Sequence, residues 1–213
     1  MNGKPLIVAI DGPAGVGKST TSRMVARALN IPHIDTGAMY RAIGLAALRE
    51  EIDLHDEEAL ADLASRTRID FVPGDPPRVL LNGEDVSSVI RTPEVSMAAS
   101  DVSTVPAVRR ILVRLQQELG RRSGGVLEGR DIGTKVFPQT RCKFFLTARP
   151  EVILERTRPW QDRPMLAGSS DPLRTVEDLL AQRASRYALA DLVVETSDLE
   201  IEGVVDEICR ALP

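Results

Sequence analysis

Five consecutive apolar residues, Leu6-Ile7-Val8-Ala9-Ile10, follow the first five positions and are rich in β-branched side chains. Such a run predicts a strand buried on both faces. The apolar period then changes. Met24, Val25, Ala28 and Leu29 recur at helical spacing, which predicts a helix over 18–29 and leaves 12–17 as a loop. Residues 32–35 predict a short strand. A second helix is expected over 36–51 with Thr36 at its N-cap, and a third over 56–67 with an acidic first turn.

The pattern shifts at Arg68. Segments 69–72 and 79–81 read as short strands, the Asn82-Gly83 pair reads as a turn, and 86–90 offers a third strand. Helices follow over 94–103 and 106–122, and buried strands over 125–127 and 142–146. A helix begins at Pro150. Residues 159–174 mix Pro, Gly, Ser and charge without periodicity and read as a loop. The rest reads as a helix over 176–187, a strand over 192–195 and a closing helix over 201–212. Strands alternating with helices imply a parallel sheet covered on both faces, interrupted by a small β-rich insertion.

Bulk composition changes this picture little. The chain has 213 residues, enough for one domain with a full core. Its net charge of -4 gives no electrostatic footprint for nucleic acid. No apolar run approaches membrane-spanning length or the core of a secretion signal. Cys142 and Cys209 stand apart and form neither a disulfide framework nor a metal cluster, as expected of a reducing cytoplasm. Nothing in the pattern demands an oligomer, so a monomer is the expectation.

The strongest chemical signal is Gly12-Pro13-Ala14-Gly15-Val16-Gly17-Lys18-Ser19, with Thr20 following. It fits G-x-x-x-x-G-K-[ST] between a predicted strand and a predicted helix, the context of a phosphate-binding loop. Glycines let the backbone wrap a phosphate closely. The N–H groups at the helix start then point at the anion. Lys18 is the expected partner of the β- and γ-phosphates of ATP, and the Ser19 hydroxyl that of Mg²⁺. No guanine-reading N-K-x-D occurs in the chain, which argues against a GTPase.

Several further stretches carry a family resemblance. Asp35-Thr36-Gly37-Ala38-Met39-Tyr40-Arg41 resembles the D-[ST]-G-A-x-Y-R segment of bacterial cytidylate kinases. Gly83-Glu84-Asp85-Val86, then Ile90-Arg91-Thr92-Pro93-Glu94-Val95, resembles that family's G-E-D-V…I-R-T-x-E-V. Ala98-Ala99-Ser100, the stretch from Pro106 to Arg109, and Gly129-Arg130-Asp131-Ile132-Gly133-Thr134-Lys135-Val136-Phe137-Pro138 match as well. The resemblance implies a P-loop kinase with a three-layer α/β/α core (about 5–67 and 104–213). A monophosphate-binding insertion (about 68–103) and a short lid (about 159–174) complete it. It also implies transfer of the γ-phosphate of ATP, with Mg²⁺, to CMP or dCMP. Arg41 and Arg130 are the expected phosphate clamps, since guanidinium offers two parallel donors. Asp35, Thr36 and Tyr40 are expected at the acceptor. By resemblance, Ser100, Arg109 and Asp131 would read the cytosine edge, with Arg110 the alternative to Arg109.

After Ala148 the chain departs from that pattern. The family's R-D-x-x-D-x-x-R and A-P-L segments are missing. Arg163-Pro164-Met165-Leu166, Asp171-Pro172, Arg183 and Tyr187 instead resemble the lid and following helix of shikimate kinases. Arg163, Arg183 and Arg186 are expected to include at least one arginine acting on the transferring phosphoryl group, with Arg156 and Arg158 in reserve. On the acceptor side, two shikimate-kinase features are absent. Gly37 stands where that family has the second Asp of D-x-D, and Gly129-Arg130-Asp131 replaces G-G-G. The acceptor side therefore favours CMP. A kinase of another small molecule and a nucleotide-binding module without turnover are the alternatives. An anionic phosphate acceptor needs no strong general base, so His33 and His55 are expected to stand aside.

Overall fold

The computed structural model describes residues 5–74, 76–158 and 169–213, apart from the side chains of 185 and 186. By its internal contacts the chain divides into two compact units. One holds residues 5–35, 117–158 and 169–213, the other Thr36–Gln116.

The first unit is a five-stranded parallel sheet in the order β2-β6-β1-β7-β8. Its strands are β1 (Ile7–Asp11), β2 (His33–Asp35), β6 (Gly125–Gly129), β7 (Lys143–Thr147) and β8 (Leu192–Glu195). Val8, Ala9 and Ile10 are each 0% exposed. Successive residues of a strand point to opposite faces, so their shared burial requires cover on both. Helices α1 (Lys18–Leu29), α6 (Pro150–Arg156), α7 (Pro172–Tyr187) and α8 (Ile201–Ala211) supply that cover, with the end of α5 (Pro106–Ser123). Gly120 on α5 marks one tight approach, since a Cβ there would lie 2.6 Å from the Phe137 ring. The loop after β1 leaves the sheet where β6 lies on one side and β7 on the other, the crevice where open parallel sheets bind ligands.

The second unit contains α2 (Thr36–Arg49), α3 (Glu57–Arg66) and α4 (Pro93–Val102), and an antiparallel sheet of β3 (Ile69–Val72), β4 (Arg78–Leu81) and β5 (Glu84–Asp85). Gly44 lets α2 lie directly on α4. A Cβ there would come 2.9 Å from the backbone nitrogen of Ala99. Met39, Ile43, Leu60, Leu63 and Ile90 are among its fully buried side chains.

Three expected elements differ. Thr36 is the first residue of α2 rather than its cap, because β2 ends at Asp35 and the helix starts without a linking residue. The third strand of the small sheet is Glu84–Asp85, not 86–90. Residues 89–91 instead form a 3-10 turn, with the Ile90 N–H bonded to Val86 O at 3.0 Å. Helix α7 starts at Pro172, four residues before the expected start, capped by Asp171, which accepts from the Arg174 N–H at 3.0 Å. No described helix is long and apolar enough to cross a membrane.

Candidate active site

Gly12, Gly15 and Gly17 carry the backbone of the expected phosphate loop. Gly15 and Gly17 take φ values of 80° and 84°, a region that L side chains rarely adopt. Close approach adds a second constraint. A Cβ on Gly12 would sit 2.4 Å from Leu146 O, and one on Gly15 2.8 Å from the Thr157 side chain. The loop is held from behind as well. Thr196, 3% exposed, has its Oγ1 3.0 Å from Thr147 O and 3.3 Å from Val16 O, and accepts from Arg156 Nη1 at 3.1 Å. Arg156, a reserve for phosphoryl contact in the sequence, is thus committed to this buttress.

Lys18 opens α1 and turns its ammonium onto the loop, donating to Pro13 O at 2.6 Å. Desolvation, then the nearby Arg130 guanidinium, lower its pKa to about 7 against the opposing pull of Glu128, Asp11 and Asp35. Arg130 donates to Gly12 O at 3.0 Å through Nη1. Two basic side chains thus meet at the loop, the electrostatics of a polyanion site.

Asp11, the last residue of β1, is 7% exposed. Its Oδ1 accepts from the Ile132 N–H at 2.9 Å and its Oδ2 from the Gly133 N–H at 2.8 Å. Those N–H groups begin a single π-helical turn, Ile132–Val136, whose first carbonyl partner is Asp131 O. Residues 11 and 12 therefore clasp the segment 130–133 in both directions. Burial raises the Asp11 pKa to about 6, with Asp131 adding to the rise, while the two backbone bonds and Lys18 oppose it. Glu128, 3% exposed at the end of β6, faces His33 Nε2 at 3.2 Å. Asp11 and Glu128 were not singled out in the sequence. An acidic residue ending a fully apolar strand was the available signal. His33, set aside there, is a partner of Glu128.

Ser19 and Thr20 lie exposed in the first turn of α1. No cluster of three or more His, Cys, Asp or Glu able to hold a metal occurs among the described residues.

In the second unit, the Arg109 guanidinium carbon lies 5.9 Å from the centre of the Tyr40 ring. Arg109 Nη1 also donates to Ser103 O at 3.3 Å, and Ser103 Oγ donates to Ser100 O at 2.7 Å. Tyr40, Ser100 and Arg109 thus form one neighbourhood, while Arg110 points into solvent. Thr36 is buried, and Arg41 half-buried on the same helix. Asp35, Arg130 and Asp131 belong to the first unit. Arg183 stands beside the Tyr187 hydroxyl on α7. Arg163 lies outside the described residues.

Against known proteins, the family model described as cytidylate kinase matches residues 8–213. It therefore runs through the segment after Ala148 where the motifs depart. The cytidylate kinase of Limosilactobacillus fermentum is 40% identical over 213 residues, covering 96% of this chain and 94% of that protein. The cytidylate kinase of Desulforamulus reducens is 44% identical over 211 residues, covering 94% of each. Among solved structures, a shikimate kinase from Bacteroides thetaiotaomicron superposes with a TM-score of 0.59 at 19% identity, covering 96% of this chain and 97% of that one. At that identity the likeness is one of fold.

Proposed function

The chain belongs to the cytidylate kinase family, and from that premise we propose that it transfers the γ-phosphoryl group of ATP to CMP, and to dCMP, releasing ADP and the diphosphate. The observation that carries the proposal is the convergence of Lys18 and Arg130 on a glycine-built loop at the sheet crevice. ATP supplies the phosphoryl group, and Mg²⁺ neutralises charge on its phosphate oxygens.

The residues divide the work as follows. Backbone N–H groups from Gly15 to Ser19 hold the donor phosphates, and the Ser19 hydroxyl takes a place on Mg²⁺. Lys18, with its pKa brought to about 7, becomes fully charged once polyphosphate enters, because an adjacent anion favours the ionised form. Arg130 contacts the reacting phosphates. Arg41 and Thr36 hold the acceptor phosphate. Tyr40, Ser100 and Arg109 hold the base, with Asp131 as a carboxylate for the amino edge of cytosine. The acceptor oxygen is anionic at neutral pH, so no residue need remove a proton.

The test is ADP release with each nucleoside monophosphate and with shikimate in parallel. CMP is expected to give the highest kcat/KM. A non-nucleotide acceptor, or ATP binding without any turnover, would overturn the proposal.

A further inference from the structure

Tyr187 ends α7 with its ring stacked on Phe145, centroids 3.6 Å apart and planes 15° from parallel. Phe145 pairs with Asp11 in the register of β1 and β7. The ring is therefore anchored beside the strand that runs into the phosphate loop. Tyr187 is 7% exposed, and its hydroxyl oxygen is buried. Arg183, which can only donate, acts on it as a hydrogen-bond donor, and the hydroxyl proton itself meets no acceptor. The charged groups acting on that hydroxyl are Arg183, one helical turn earlier, then Arg130 and Asp11. Burial pushes the phenol pKa upward in spite of both guanidinium groups, so at neutral pH the hydroxyl keeps its proton.

A buried hydroxyl whose proton has no acceptor is costly, and phenylalanine would make the same stack without that cost. The arrangement makes sense when the partner arrives with a ligand. Two guanidinium groups act on the oxygen, and its ring is stacked on the strand next to the one that runs into the phosphate loop, so the ligand group expected there is anionic. The loop backbone already serves the inner phosphates, which leaves the terminal one.

We propose that the Tyr187 hydroxyl donates a hydrogen bond to the γ-phosphoryl group of ATP during transfer, as a further catalytic residue. The inference rests on the kinase reading given above. The proton stays on the tyrosine, and no bond to this residue forms or breaks. A fixed donor aimed at charge that builds in the transition state favours transfer more than binding.

Tyr187→Phe tests the idea, because it keeps the stack and removes only the hydroxyl. Three quantities are compared with the unaltered protein. They are the melting temperature, the affinities for ADP and for adenylyl imidodiphosphate, and the rates of ADP release with and without CMP. The expected variant melts no lower and binds ADP within about twofold. It binds the triphosphate analogue several-fold more weakly, and loses about 10- to 100-fold in kcat, the range for a lost hydrogen bond to a charged group. An unchanged kcat with an unchanged ratio of analogue to ADP affinity would overturn the inference. So would a loss confined to the KM for CMP, or a lower melting temperature, which would give the hydroxyl a structural partner. If the unaltered protein does not phosphorylate CMP, the functional reading fails. The affinity ratio and the rate of ATP hydrolysis without CMP then still decide the role of Tyr187.

Discussion

Replacing Lys18 with methionine is expected to remove activity and, in the ligand-free protein, to raise stability. The reason lies in the burial of its charge. Desolvation and the Arg130 guanidinium bring the Lys18 pKa from 10.5 to about 7. That difference corresponds to about 5 kcal/mol against the charged form in the folded state. Lys18 keeps part of its surface accessible, and solvent screening cuts the figure to roughly 2–4 kcal/mol. The sign follows from linkage. The folded protein binds the Lys18 proton more weakly than the unfolded chain does. Stability from this residue is therefore lowest below about pH 7 and rises as pH climbs from about 7 toward 10.5. Methionine fills a similar length with no charge to desolvate. At pH 6.5 the ligand-free Lys18→Met protein should melt on the order of 5–10 °C above the unaltered one. By pH 9 the gap should shrink to about half or less. ADP·Mg should raise the melting point of the unaltered protein and barely move that of the variant, and ADP release should fall below detection. The assay is thermal unfolding at the two pH values, with and without nucleotide. A variant that melts lower than the unaltered protein at pH 6.5 would refute the electrostatic argument. Near-normal turnover by a folded variant would remove Lys18 from the chemistry.

Two further predictions concern the clasp and the acceptor. Ionising Asp11 costs about 3 kcal/mol as pH rises from 3.8 to about 6, because burial raises its pKa over that interval. In urea melts, Asp11→Asn should therefore improve relative to the unaltered protein between pH 4 and pH 7, and a pH-independent difference would contradict the assignment. Base selectivity should exceed sugar selectivity, because the segment Gln182–Tyr187 has no carboxylate to accept from both ribose hydroxyls. A preference for CMP over dCMP larger than that for CMP over UMP, measured as kcat/KM, would show that another group reads the ribose.

The elements legible in the sequence were those whose boundaries are set by near neighbours. Helix α1 begins after Gly17 and ends at Asn30, both left-handed, and its expected limits coincide with the observed ones. The two misplaced elements of the small sheet and of α7 also had local causes. Asn82 and Gly83 have φ values of 51° and 90°, a two-residue turn that pairs Leu81 directly with Glu84. The strand must then begin at Glu84, however polar it is. Val86 and Ile90, 0% and 1% exposed, are four residues apart and mark a helical turn rather than strand alternation. Pro172 fell within the mixed stretch 159–174 that read as a loop, yet it occupies the first turn of a helix, where its missing N–H costs nothing.

The residues that escaped the sequence reading share a different property: their partners lie far along the chain. Asp11 is bound by the backbone 121 and 122 residues away, and Glu128 faces His33 across 95 residues. Parallel pairing brings them together. Asp35 stands opposite Glu128 in the β2–β6 register, and Asp11 opposite Gly129 in the β1–β6 register. Three strands thus carry carboxylates at or one residue before their C-terminal ends, next to the loop that carries Lys18. All three act on Lys18 in the direction that favours its charge. In the ligand-free protein they partly offset the charge of Lys18, a role that passes to the polyphosphate under the proposed function. A motif search finds Lys18 because the loop is contiguous, whereas Asp11 and Glu128 are specified as counter-charges only once the strand order is known.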